Sequence, residues 1–244
     1  MSKKMKIILL AGNTLRARAY AQQLAAMKGE EYIVEGVFFG FSKRSCSEVE
    51  LNDKTIRYFK KENIFLPDLN QDIRKTFKNN HWCFTEIETE DVNSEVVLKS
   101  IHELNGDIVV FAGYGGQILN GQHFEGGRKY LHMHPGELPT ERGSTTVYYS
   151  ILNNRNVSVT AFFMTADIDA GENIHIKSYP KPFVGVDLDC WFDCGIRADC
   201  FKNALVAINK LGFKGVKPTE DSEEYYVIHP VLKHIAILSL KEEA

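Results

Sequence analysis

The chain alternates short unbroken apolar runs with stretches in which apolar residues return at helical intervals. Residues 6–11, KIILLA, form the first run. A run this short and this apolar suits a strand buried on both faces of a parallel sheet. It breaks at Gly12-Asn13-Thr14, after which Ala17, Ala19, Tyr20, Leu24 and Met27 recur at helix-like spacing. Residues 32–39, YIVEGVFF, are β-branched and aromatic and predict a second strand. Strand, helix, strand is the opening unit of a doubly wound α/β sheet. The turn after the first strand holds one glycine and does not match the G-x-G-x-x-G dinucleotide fingerprint.

Residues 42–93 mix charges and break the apolar period. They predict helices over 54–63 and 71–79, separated by Pro67. Residues 96–104 continue as a helix with Val97, Ile101 and Leu104 on one stripe, ended by Gly106. Residues 107–112, DIVVFA, are the clearest buried strand and run into Gly113-Tyr114-Gly115-Gly116. A short strand over 129–133 follows, then a helix over 144–152 capped by Ser144 or Thr145. A strand over 157–164, a turn at 167–171 and a strand over 173–179 come next. A long helix over 189–210 follows, and the final stretch ends in residues 224–228, Pro230 and a helical tail over 231–241. The pattern predicts an α/β domain over residues 1–185, with a mostly parallel central sheet and helices on both faces. Residues 186–244 form a short helical extension that packs on this domain or makes a homodimer interface.

Composition narrows the function classes. With 244 residues, 44% of them hydrophobic, the chain can bury one sizeable core. The net charge of −3 lacks the clustered basic signature of a polyphosphate binder, so no nucleic-acid partner is expected. The five cysteines, Cys46, Cys83, Cys190, Cys194 and Cys200, are odd in number and irregularly spaced. They match no usual zinc pattern and read as reduced thiols of a cytoplasmic protein. The N-terminal apolar run, about six residues, is too short for a signal peptide. No run approaches the roughly 20 residues of a membrane helix, so no membrane association is expected.

Three predicted strand ends carry the candidate chemistry: GYGGQIL at 113–119, His132-Met133-His134-Pro135, and DIDAG at 167–171. Open α/β sheets bind ligands at the carboxyl ends of their strands. Residues two apart on a strand point to the same side, so His132 and His134 are expected to face one cleft. Pro135 ends the strand by removing a donor. Taken singly, each piece has an ordinary reading as packing, turn or loop. Together, His132, His134 and Asp169 also offer three ligands and an open position for zinc or iron, the arrangement of a metal-dependent hydrolase.

Order and spacing add a resemblance. HMHPGELPTERG at 132–143 is similar to N-x-H-P-S-x-L-P-x-x-x-G. SVTAFFM at 158–164 is similar to G-V-T-x-x-x-M, and DAGENI at 169–174 to D-x-G-x-x-I. Upstream, FAGYGGQIL at 111–119 resembles A-x-Y-G-x-I-L with one extra glycine. These are the motifs of the folate-dependent formyltransferase family, which includes sugar N-formyltransferases, glycinamide ribonucleotide transformylase and the Rossmann domain of methionyl-tRNA formyltransferase. The resemblance covers residues 6–179. It implies a Rossmann-like formyltransferase fold, 10-formyltetrahydrofolate as co-substrate, a small-molecule amine as acceptor and no metal. His134 matches the family's catalytic histidine and Asp169 its catalytic aspartate. Gly116, Gln117, Ile118 and Leu119 match the segment lining the pterin pocket, and Ala166 and Asp167 belong to the loop that closes it. The departure is His132, where the family has an asparagine that helps stabilise the oxyanion; a histidine ring nitrogen can also donate there.

The acceptor implied by elimination and analogy is an amino sugar on a nucleotide, with glycinamide ribonucleotide or another small amine as alternatives. Water as acceptor, and a binding protein with a degenerate site, are the remaining rivals. Arg16, Arg18 and Lys43-Arg44 either meet phosphates or are solvated. Glu137 and Arg142 border the expected cleft or pair with each other.

Overall fold

The computed structural model describes residues 4–27, 32–153, 155–218 and 224–242. The strands are β1 (Lys6–Gly12), β2 (Ile33–Phe39), β3 (Cys83–Ile87), β4 (Ile108–Ala112), β5 (Tyr130–His134), β6 (Arg142–Gly143), β7 (Val157–Phe163), β8 (Asn173–Tyr179) and β9 (Glu224–Tyr225). The helices are α1 (Leu15–Ala26), α2 (Asp53–Lys61), α3 (Ile73–Asn79), α4 (Glu95–Leu104), α5 (Thr146–Leu152), α6 (Asp193–Leu211) and α7 (Pro230–Leu238). Seven strands form a mostly parallel sheet in the order β3-β2-β1-β4-β5-β7-β8. The unbroken apolar runs of β1 and β4 sit inside this order and are buried, as strands covered on both faces must be.

The chain forms two compact units. The first runs through Val49 and takes Pro67–His132 and Met164–Ala166. The second takes Glu50–Leu66, Met133–Phe163 and the chain from Asp167 onward. In the first unit β1 pairs in parallel with β2 and β4, β2 with β3, and β4 with β5. One core cluster there joins Ile8, Leu10, Phe39, Val97, Ile101 and Phe111. In the second unit β7 and β8 pair antiparallel. Tyr58 of α2 packs edge-on against Phe183 and Phe192.

Several local readings change. The edge strand β3 lies in the stretch of mixed charge; its CFTEI is mostly exposed, which removes the apolar alternation that would betray a strand. Helix α4 ends on Asn105, which takes the left-handed conformation at φ 49°, and not on Gly106. Thr145 precedes α5 but does not cap it with its side chain. Its hydroxyl accepts instead from the Ile228 N–H at 2.8 Å. The long helix begins as a π-helical turn, Leu188–Phe192, before α6 proper.

The C-terminal tail packs on its own unit. The Ser144 N–H donates to the Tyr225 carbonyl at 2.7 Å, the Tyr149 and Tyr225 rings meet at a tilt with centroids 4.6 Å apart, and Lys233 pairs with Asp189 at 2.6 Å. Its outer side leaves Val231 and Leu238 exposed. Among the described residues no helix is long and apolar enough to cross a membrane.

His123 is a buried histidine of the first unit. Its Nε2 lies 3.2 Å from the Val92 carbonyl and therefore donates, while Nδ1 accepts from the Tyr130 hydroxyl at 3.0 Å. Burial pushes its pKa down to about 4. The unfolded chain therefore takes up a proton first as pH falls through the ordinary histidine range. Stability present at pH 7 is expected to fall by on the order of 3 kcal/mol between about pH 6.5 and 4 from this group. Urea midpoints at pH 7 and 4.5 test this against His123→Gln, which should start lower and lose less. An equal loss in both proteins would remove His123 from the acid response.

Candidate active site

His134 ends β5, where the strand meets Pro135. It is 2% exposed. The loop over residues 135–142 is held by side chains from the elements beneath it. Thr160 of β7 donates to the Gly136 carbonyl at 2.7 Å and accepts from the Leu138 N–H at 3.0 Å. Asn173 of β8 donates to the Leu138 carbonyl at 3.0 Å, and Thr146 to the Pro135 carbonyl. Arg197 of α6 donates to the Met133 carbonyl at 2.8 Å and pairs with Asp193 at 2.8 Å.

The ring of His134 lies between two oxygens. Its Nε2 sits 2.5 Å from the Glu141 carbonyl and its Nδ1 3.5 Å from Asp169 Oδ2. Burial lowers the proton affinity of His134 below the ordinary histidine range. The Asp169 carboxylate opposes that most, followed by the Glu141 carbonyl, while Arg197 adds to the lowering. Asp169 sits in the left-handed region at φ 50°. The same Oδ2 accepts the Gly143 N–H at 2.9 Å, and Arg142 donates to the neighbouring Ile168 carbonyl at 2.5 Å. Strand β6 thus clamps the aspartate turn against the histidine. Arg142 is engaged here and not with Glu137, whose main-chain N–H bonds Glu141.

The structure therefore brings His134 and Asp169 together within the second unit. His132 belongs to the first, is partly buried, and lies 6.0 Å from the Phe111 ring, centroid to centroid. Among the described residues no group of three or more His, Cys, Asp and Glu could hold a metal ion, so the metal-ligand reading gains no support. The five cysteines are free thiols; burial pushes Cys200 up to about 12.

The Gly116–Leu119 segment lies in the first unit and is fixed from within. Gln117 Oε1 accepts from the Tyr114 N–H at 3.0 Å, and its Nε2 donates to the Glu90 carbonyl at 2.8 Å. Leu119 is buried in the core, while Ile118 is 57% exposed. Gly116 has φ 79°, and nothing lies within 4 Å of where a Cβ would stand on Gly115 or Gly116. Ala166 and Asp167 are exposed. Tyr114 organises this end of the unit. Its hydroxyl accepts from the Asn13 N–H at 3.0 Å and donates to the Phe39 carbonyl at 3.2 Å, and the Arg44 guanidinium lies 4.5 Å over its ring. The candidate phosphate-binding arginines have structural partners as well. Arg16 donates to the Gly113 carbonyl at 2.7 Å, and Arg18 is buried against the Leu69 carbonyl at 2.7 Å.

No family model matches the chain. Over 91 residues it is 34% identical to methionyl-tRNA formyltransferase of Bacillus velezensis, a match covering 36% of this chain and 28% of that protein. The chain thus spans less than a third of the curated relative's length. Among solved structures, a sugar N-formyltransferase from Shewanella sp. is similar with a TM-score of 0.60 at 16% identity, covering 96% of this chain and 87% of that one. HypX from Aquifex aeolicus in complex with tetrahydrofolic acid is similar with a TM-score of 0.55 at 14% identity, covering 94% of this chain and 31% of that one. The chain has the fold of the formyltransferases, and over the matched third it is related to them in sequence.

Proposed function

We propose that the protein is an N-formyltransferase that moves a formyl group from 10-formyltetrahydrofolate to the primary amine of a small molecule, an amino sugar carried on a nucleotide. The observation that carries this reading is the buried His134–Asp169 pair at the end of β5, in a fold shared with formyltransferases. 10-Formyltetrahydrofolate supplies an activated formyl carbon on nitrogen. The amine attacks that carbon, its oxygen becomes an oxyanion, and the amine must lose a proton before the bond to the folate nitrogen breaks and that nitrogen is protonated. His134 accepts the amine proton at Nδ1, a step typically worth about 10²–10⁴ in rate. Asp169, facing Nδ1, pairs with the protonated ring and carries the proton onward. Exposed Ile118 and the open Gly115-Gly116 backbone suit a flat ring. The Shewanella sugar N-formyltransferase, similar over nearly the whole chain, favours the amino-sugar acceptor.

Incubation with 10-formyltetrahydrofolate and a panel of acceptors tests the reading. The panel is a nucleotide-linked amino sugar, glycinamide ribonucleotide and methionyl-tRNA. A gain of one formyl mass on the amino sugar is expected. Formylation of methionyl-tRNA alone overturns the acceptor; release of tetrahydrofolate without any amine overturns transfer itself. In the same assay His132→Asn is expected to stay within about tenfold of wild type, since either side chain can donate one hydrogen bond. A dead but folded variant gives His132 a task that asparagine cannot perform.

A further inference from the structure

We propose that Glu141 is the positioning residue of this site: it fixes which nitrogen of the His134 ring carries the proton and so reserves the other nitrogen for proton exchange with Asp169. What that exchange serves rests on the formyl-transfer reading; the positioning itself rests on geometry.

A carbonyl oxygen only accepts. With the Glu141 carbonyl 2.5 Å from His134 Nε2, that nitrogen carries the hydrogen. In the neutral ring the lone pair is then on Nδ1, which faces Asp169 Oδ2 at 3.5 Å. A proton arriving at or leaving His134 does so at Nδ1.

A main-chain carbonyl is only as fixed as its peptide, and the Glu141 side chain fixes this one. Its Oε2 accepts from the Glu137 N–H at 3.0 Å, and its Oε1 accepts from the Ser150 hydroxyl of α5 at 2.8 Å. The Glu141 N–H closes the loop onto the Glu137 carbonyl at 2.8 Å. Glu141 is 3% exposed. A buried carboxylate is costly to desolvate, and an apolar residue of similar volume would serve packing at least as well. The carboxylate is explained by the two donors it collects.

Gly136 is an independent sign. A Cβ there would lie 2.6 Å from the Glu141 carbonyl oxygen and 2.7 Å from His134 Nε2. The formyltransferase pattern has serine at this place, which this contact could not accommodate without shifting. Glycine and the histidine–carbonyl bond therefore belong together in this chain. The charged groups acting on His134 are Asp169, Glu141 and Arg197; the two carboxylates raise its proton affinity and the guanidinium lowers it.

The test compares Glu141→Gln, Glu141→Ala and Ser150→Ala, using nitrogen NMR of ¹⁵N-histidine-labelled protein beside steady-state kinetics. In wild type the neutral His134 is expected as the Nε2–H tautomer. Glutamine can accept from Glu137 and donate to Ser150, so Glu141→Gln should keep that tautomer while its titration moves to lower pH. Glu141→Ala should mix the tautomers and lower kcat ten- to a hundredfold with KM for 10-formyltetrahydrofolate unchanged. Ser150→Ala, which removes little volume, should move the same readouts less and covers the case of an alanine variant that does not fold. His134 nitrogen shifts that ignore all three substitutions overturn the proposal, whatever happens to kcat. If no acceptor is formylated by wild type while the shifts still follow Glu141, the functional reading fails and the positioning stands.

Discussion

His134→Ala is expected to lower formyl transfer at least a hundredfold, and Asp169→Asn to do the same, with both proteins still folded. The two side chains form one unit: a ring between two acceptors, one of them the carboxylate that also takes the Gly143 N–H. Removing the ring deletes the nitrogen through which the proposed proton transfer passes, a loss of about 10²–10⁴ in rate. Removing the carboxylate charge deletes the proposed proton acceptor, which general-base chemistry values at about 10²–10⁴. Because both act in one proton movement, the double variant should be little worse than either single one. Folding survives because Asn at position 169 tolerates the left-handed backbone and can still accept from Gly143. Alanine at 134 leaves one buried carbonyl without its donor, a cost of about 1–3 kcal/mol. Single-turnover rates and far-UV circular dichroism check both points. A folded variant of either kind retaining more than about a tenth of wild-type rate places the chemistry elsewhere.

Gly171→Ala is expected to cost more than about 4 kcal/mol, at the extreme of single substitutions. A Cβ on Gly171 would stand 1.6 Å from the Phe163 carbonyl oxygen and 2.7 Å from its carbon. That backbone cannot move aside easily, because the Phe163 N–H donates to the Glu172 carbonyl at 2.9 Å where β7 and β8 pair. The turn carrying Asp169 and the start of β8 thus approach β7 too closely for any side chain. Gly121→Ala is the control, with nothing within 4 Å of its Cβ position, and should stay within about 0.5 kcal/mol of wild type. Urea midpoints read both. A Gly171→Ala protein with the wild-type midpoint would mean that β7 and the aspartate turn are not joined as described.

Much of this was legible in the residues. The unbroken apolar runs of β1 and β4 announced buried parallel strands because solvent reaches neither face. The spacing His132-x-His134-Pro135 followed by DIDAG marked His134 and Asp169 as candidates, and the structure brings those two side chains to 3.5 Å. What stayed hidden depends on partners distant in sequence. The exposed strand β3 has no apolar face to advertise. Thr145 looks like a helix cap, yet its hydroxyl serves Ile228, 83 residues away. Arg16 and Arg18 look like surface cations until Gly113 and Leu69 supply carbonyls. Glu141 gave no signal: glutamate in a loop between Pro139 and Gly143 normally points to water, and only the fold brings Ser150 beneath it.

The backbone at Asp169 also limits how this site can decay in evolution. A φ of 50° admits aspartate, asparagine and glycine readily and most other residues poorly. Asparagine and glycine are each one nucleotide change from either aspartate codon, and each removes the carboxylate while suiting the turn. The shortest mutational route away from the proposed activity therefore preserves the fold. A descendant of this gene that has lost the proposed chemistry should betray itself by Asn or Gly at this codon, beside an intact histidine strand.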